Sequence, residues 1–182
     1  MMTPAPSLLT LLPRALPAPW QCLRAGQDDQ ALLHDVFAST KRIELSLLPP
    51  DVQLRDLFIG MQMQAQRQSV AQHYPDAIEW VVRHHKTAVG RLWLHEDTAG
   101  VRIIDITLLP EHQGQGGARA LLHTLMRLAD QSGRPLHLHV LADNPIRHWY
   151  ARLGFELTAT SGLYQAMTRL PTVALEQRYE QA

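Results

Sequence analysis

The sequence predicts an α/β domain with a sheet of about seven strands and about four helices, and three observations carry that prediction. A hydrophobic strand from Val101 to Leu109 runs through a Pro-Glu turn into a glycine-rich loop and then an apolar-periodic helix. A second strand, Leu136 to Val140, alternates apolar and polar residues and is stopped by Asp143-Asn144-Pro145. Two further runs, Ile78 to Arg83 and Ala88 to Glu96, read as a hairpin turning at His84-His85.

In chain order, Trp20 to Ala25 is the first strand, cut off by Gly26. Asp28 or Asp29 can cap a helix that sets Leu33, Val36, Phe37 and Thr40 along one face. A loop with Pro49-Pro50 follows, and Asp51 can start a second helix. There Leu54, Leu57, Phe58, Met61 and Ala65 keep helical spacing, while the glutamine-rich half from Gln62 to Gln72 reads as a solvated face. The turn Asp97 to Gly100 leads from the hairpin into the fourth strand. The third helix, from about Gly116 to Gln131, packs Ala118, Leu121, Leu122, Leu125 and Leu128. Asn144 suits an N-cap and Pro145 a first helical turn, so a fourth helix runs to about Leu153, where Gly154 ends it. Phe155 to Thr160 and Tyr164 to Thr168 complete the strands.

A chain of 182 residues is one domain by size, and 46% hydrophobic residues suffice for its core. The folded domain is expected over 20–170, behind a mobile N-terminal arm at 1–19 that is broken by prolines, and ahead of a polar C-terminal tail at 171–182. Seventeen basic and seventeen acidic side chains cancel, so no global field favours nucleic acid or an anionic membrane. No apolar run approaches the roughly 20 residues of a membrane span, and the N-terminus lacks the basic region of a signal peptide. A lone cysteine, Cys22, excludes an intramolecular disulfide and suits a reducing, cytoplasmic setting. Ten histidines show no ligand spacing on a predicted helix, so no metal is expected.

The loop after the fourth strand carries the chemistry. Gly114, Gly116 and Gly117 let the backbone approach a ligand closely, and the following helix aims its unpaired N–H groups at it. That makes an anion site suited to phosphate; a plain tight turn is the alternative. It is not a P-loop, because Gly117-Ala118-Arg119 supplies neither lysine nor hydroxyl. Nor is it a dinucleotide fingerprint, because Arg119 stands where the third glycine belongs.

Gln113-x-x-Gly116-x-Ala118 resembles the Gln/Arg-x-x-Gly-x-Gly/Ala signature of the GNAT superfamily of N-acetyltransferases. About thirty residues on, the run from Asn144 to Phe155 resembles that family's N-P-x-x-x-x-Y-x-x-L-G-F pattern. The resemblance implies a mixed, mostly antiparallel sheet, splayed between the fourth and fifth strands, and a transferase using acetyl-CoA as co-substrate. By the same resemblance, backbone near Ile106 and Leu108 bonds the pantetheine amides, and the amides from Gln113 through Gly114, Gln115, Gly116 and Gly117 to Ala118 hold the pyrophosphate. Asn144 joins this cofactor set, and Arg119 either adds a phosphate contact or is solvated.

Acetyl transfer needs a held thioester, a neutral amine and a protonated leaving thiolate. Tyr150 matches the family's tyrosine beside the cofactor sulfur; the alternative is a core tyrosine next to Trp149. His137 and His139 share one strand face. His139 sits where the ribosomal-protein Nα-acetyltransferase branch carries a glutamate base, and it is either that base or a satisfied surface histidine. Asp105, inside an otherwise apolar strand, is a second candidate base, a binder of the acceptor's ammonium, or the partner of an arginine. Glu44, the turn from Ser39 to Arg42, Met61, Met63 and Tyr74 could line an acceptor site, though methionines at such spacing also suit a core. The acceptor is then a small-molecule amine or a protein or peptide amine, with a homodimer compatible. A non-catalytic acyl-CoA-binding sensor or assembly module of the same fold is the alternative function.

Overall fold

The computed structural model describes residues 7–172. Seven strands form one sheet in the order β1-β2-β3-β4-β5-β7-β6, mixed and mostly antiparallel. They are β1 (Trp20–Arg24), β2 (Ile78–His84), β3 (Thr87–Asp97), β4 (Gly100–Leu108), β5 (Leu136–Leu141), β6 (Glu156–Ser161) and β7 (Tyr164–Arg169). Six helices lie among the described residues: α1 (Leu8–Ala15), α2 (Gln30–Ser39), α3 (Arg42–Ser46), α4 (Val52–His73), α5 (Gly117–Ser132) and α6 (Ile146–Arg152). The two beyond the predicted four are α1 and α3.

The chain packs as two units. One comprises Leu16–Trp93 and Asp105–Ala120. Here β1 and β2 run antiparallel from Trp20 opposite His84 to Arg24 opposite Trp80. The hairpin turn forms where predicted, with His85 in the left-handed region (φ 55°). Asp51 caps α4 by accepting from the Leu54 N–H at 3.0 Å, as its position before an apolar run predicts.

The core of this unit sets Leu33 and Phe37 of α2 against Ile59 and Met63 of α4, with Phe58 beside them. That corrects the predicted face of α4. Ile59, Met63 and Val70 are its buried residues, whereas Leu54, Leu57 and Met61 are exposed. Both stripes have helical spacing, and periodicity alone does not say which one packs.

The other unit comprises the described part of Met1–Ala15, together with Leu94–Ile104 and the described part of Leu121–Ala182. In it β4 and β5 pair in parallel over Val101–Ile103 against Leu136–Leu138. Along β5, Leu136, Leu138 and Val140 are buried while His137 and His139 point the other way, as the alternation predicts. Leu121, Leu122, Leu125 and Leu128 bury the expected stripe of α5. Arg169 of β7 grips Asp130 of α5 with two parallel bonds of 2.9 Å.

The predicted arm at 1–19 is otherwise than expected in its described part. Residues Leu8–Ala15 are helical and bury Leu8, Leu9 and Leu12. The carboxylate of Glu96 accepts from the Leu8 and Leu9 N–H groups at 3.1 and 3.2 Å and from the Ser7 hydroxyl. It thereby satisfies donors that open a helix, and Arg134 neutralises it from the other side. Burial of three leucines, each worth roughly 1.5–3 kcal/mol, offsets the cost of ordering a proline-containing segment. Most of the predicted tail at 171–182 lies outside the described residues.

Candidate active site

The glycine-rich loop divides its labour. Gly114 and Gly116 have φ of 73° and 86°, the left-handed region that side chains disfavour, and an added Cβ at either would meet nothing within 4 Å. Backbone conformation, not space, requires glycine there. Gly117 is the reverse: a Cβ on it would lie 2.7 Å from the Trp20 ring and 2.9 Å from Leu108 Cδ1. Its missing side chain lets the first turn of α5 rest on Trp20, which stacks in turn on His84 at 4.4 Å between ring centres. Gly117→Ala is expected to cost about 1–3 kcal/mol through overpacking, measured by urea unfolding, whereas Gly114→Ala acts through strain alone.

This arrangement frees a run of donors. The bond from Ala120 N to Gly116 O, at 2.8 Å, is the first of the helix. Ahead of it, the N–H groups from Gly114 to Arg119 donate to no acceptor among the described residues. They stand at the positive end of a helix of 16 residues. Arg119 is exposed and pairs with no carboxylate among the described residues.

Other predicted cofactor residues brace the loop from within. Gln113 donates its side-chain amide to the Leu108 carbonyl at 2.9 Å, and Gln115 does the same to the Glu111 carbonyl at 3.1 Å. Both side chains therefore hold the turn, which leaves ligand contact to the main chain. Ile106 lies on β4 between Asp105 and Thr107, and Ala118 is half-buried in the first turn of α5. Sequence reasoning missed two supports. Trp20 underlies Gly117, and Gly90 lets β4 approach, since a Cβ there would lie 2.4 Å from the Thr107 carbonyl. A glycine inside a strand is the signal that could have found Gly90.

Asp105 has found an arginine. Arg91, only 1% exposed, donates from Nε to Asp105 at 2.8 Å, and also reaches Glu79 at 3.4 Å and Gln66 at 3.2 Å. Its guanidinium lies 5.3 Å from the Trp93 ring centre and 5.9 Å from that of Phe37. Thr107 adds a hydroxyl bond to the Asp105 carboxylate at 2.9 Å. Arg67 pairs with the outer side of Glu79 at 3.6 Å.

In the second unit, His139 accepts from Arg102 through Nδ1 at 3.3 Å, while His137 meets Thr168 and the Ala99 carbonyl. Burial, then the positive Arg102, then His137 push the His139 pKa below its ordinary 6.5. As pH falls below 6.5 the unfolded chain takes up this proton first, so stability declines until the folded imidazole titrates too. His139→Gln is expected to flatten that part of a stability-versus-pH curve.

Tyr150 lies on α6, half-buried, with its ring edge-on to Phe155 at 5.7 Å and tilted to Trp149 at 5.6 Å. Asn144 accepts from the Ile146 N–H through Oδ1 at 3.0 Å and so opens this helix, with the first helical residue one later than predicted. Its placement is that of a cap.

Cys22 is buried on β1 and its thiol is pushed up to about 12 by desolvation, so it is inert as a nucleophile. The described residues hold no group of three or more His, Cys, Asp or Glu side chains able to share a metal ion. None of their helices is long and apolar enough to cross a membrane.

The profile of the acetyltransferase (GNAT) family matches residues 48–155. No curated protein sequence matches the chain. Similar solved structures include the PaiA N-acetyltransferase of Thermoplasma acidophilum in complex with coenzyme A. It is 16% identical over 83% of this chain and 98% of that one, with a TM-score of 0.62. An acetyltransferase of Thermus thermophilus is 20% identical over 83% and 96%, with a TM-score of 0.58. The ribosomal L7/L12 α-N-protein acetyltransferase RimL in complex with coenzyme A is 17% identical over 86% and 96%, with a TM-score of 0.59. At these identities the likeness is one of fold. The family profile spans more than half of the sequence and takes in both the glycine loop and the helix of Tyr150, and on that ground the chain belongs to the GNAT acetyltransferase family.

Proposed function

We propose that the protein is an acetyl-CoA-dependent N-acetyltransferase that moves the acetyl group to a primary amine by direct attack. The observation that carries this reading is the run of unpartnered N–H groups from Gly114 to Arg119 at the head of α5. Such a run suits the pyrophosphate of a coenzyme A ester. That two similar folds were solved with coenzyme A supports the same choice of donor. Arg119 adds a charge-assisted phosphate contact, and main-chain groups of Ile106 and Leu108 bind the pantetheine arm. Donor binding does not depend on Asn144, whose side chain is spent on capping α6.

The amine attacks the thioester carbon, the carbon–sulfur bond breaks, and Tyr150 delivers its hydroxyl proton to the departing sulfur. Buried Cys22 leaves no acyl-enzyme step to it. Of the two candidate bases, Asp105 keeps acceptor capacity beyond its bonds to Arg91 and Thr107, because a carboxylate has about four lone-pair sites. His139 meets Arg102 through Nδ1 and therefore presents an N–H at Nε2, which accepts no proton. Asp105→Asn is expected to lower kcat by roughly 10²-fold, and His139→Gln to leave it within a few fold.

The deciding experiment titrates acetyl-CoA into the protein by calorimetry and then follows free thiol release with an array of amines and peptides. Binding that Gly116→Ala weakens, together with amine-dependent thiol release, supports the reading. No binding removes it, and tight binding without turnover on any amine favours the sensor or assembly module instead.

A further inference from the structure

One face of β5 carries a row of polar side chains that acetyl transfer, as set out above, leaves unused. Residues directly opposite one another in a sheet share a face. Pairing sets Arg102 beside His137, His137 beside Thr168, and His139 beside Ala166, while Leu136, Leu138 and Val140 are buried on the other side. His139 is exposed, as are Leu141 and Tyr164 further along the same face and every residue of β6. Pairing of β5 with β4 stops at Leu138, whereas its pairing with β7 runs on to Leu141. Among the described residues, His139 is therefore the first of β5 whose β4 edge is open.

Hydrogen bonds fix what each imidazole can offer. A carbonyl only accepts, so His137 donates through Nε2 to Ala99 at 3.1 Å and accepts through Nδ1 from the Thr168 hydroxyl at 3.0 Å. Both nitrogens of His137 are spent. A guanidinium only donates, so His139 takes its bond from Arg102 at Nδ1 and carries its N–H at Nε2.

We propose that Arg102 and His139 bind a carboxylate of the acceptor, so that the preferred substrate is an amine that also bears an acid group. The assignment rests on the amine-transfer reading above and narrows its substrate class. A cation with a neutral N–H beside it suits the two oxygens of a carboxylate. An ammonium, which only donates, would face two donors. Burial and the Arg102 charge disfavour a second cation at His139, so the ring stays a neutral donor. Ala166, small and directly opposite, leaves room above the sheet beside that ring. The acid of this row is Glu156, opposite Thr168 and two strands away from β5, roughly 10 Å at the usual strand spacing.

Two measurements on the full chain test it. Thiol release from acetyl-CoA is compared for L-alanine, L-alaninamide and a peptide with an acidic second residue. A carboxylate-bearing acceptor is expected to exceed its amide by about 10- to 100-fold in kcat/KM, the worth of one hydrogen bond to a charged group, with the difference in KM. Arg102→Gln is expected to remove that preference. Either carboxylate supports the proposal, and the order of alanine and peptide says whether it is the α-carboxylate or a side chain. The second measurement needs neither turnover nor a folded Arg102 variant. In nitrogen NMR of the wild type, glutarate is expected to raise the pH at which the His139 imidazole titrates, because a bound carboxylate favours its charged form. If glutarate moves His139 and no amine is acetylated, the carboxylate site stands and the transferase reading falls. If acid and amide are acetylated equally well, or His139 ignores glutarate, the site is overturned and the transferase reading survives.

Discussion

Tyr150→Phe is expected to lower kcat by about 10²- to 10⁴-fold, the usual worth of a positioned proton donor, while the affinity for coenzyme A stays within a few fold. Only the hydroxyl is lost in this substitution. The ring keeps its edge contact with Phe155 and its tilt against Trp149, and α6 keeps its cap at Asn144. Urea unfolding of the variant beside the wild type separates a loss of rate from a loss of stability. A tyrosine that only fills space would give a variant with full turnover, and the acid role would then fall. Steady-state kinetics beside a calorimetric Kd separate the two. A smaller loss is expected from Phe155→Leu, which frees the ring to turn without removing its proton.

The largest expected loss of stability belongs to Arg91→Ala, at about 3–5 kcal/mol in urea unfolding. Its guanidinium is almost fully enclosed and serves two carboxylates and an amide at once. Removing it leaves the Asp105 carboxylate with only the Thr107 hydroxyl and no cation, and Glu79 with Arg67 alone. It also empties the space between Trp93 and Phe37. Asp105→Asn is expected to cost less, because Arg91 keeps its contacts with Glu79 and Gln66. The order of the two effects is the test: if Asp105→Asn proved the more destabilising, the cluster would not be centred on Arg91. Arg91→Lys should recover little, since an ammonium cannot reach three partners in a plane.

Legibility in the sequence followed how local each cause was. Strand β5, the cap at Asn144 and the stop at Gly154 rest on residues a few positions apart, and alternation or capping chemistry reveals them directly. The glycine loop was legible for the same reason, though its members looked equivalent. What separates Gly117 from Gly114 is Trp20, nearly a hundred residues earlier. Arg91 illustrates the limit. A single arginine in a strand ordinarily marks a solvated face, and nothing near it in sequence names Asp105 on β4 or Gln66 on α4 as its partners. Helix α4 misled because both of its stripes satisfy helical spacing, and burial is decided by where Leu33 and Phe37 lie. Helix α1 was hidden by its prolines, since the carboxylate that opens it, Glu96, stands some ninety residues downstream.

That last contact changes what the beginning of the chain means. Trimming the sequence to Trp20, as a motif-based boundary suggests, would withdraw three leucines from the interior and leave an acid facing Arg134 with its other contacts gone. The stretch from Ser7 to Ala15 is thus a wall of the building and not its doorstep, and a chain begun at Trp20 is expected to unfold at lower urea than one that keeps it.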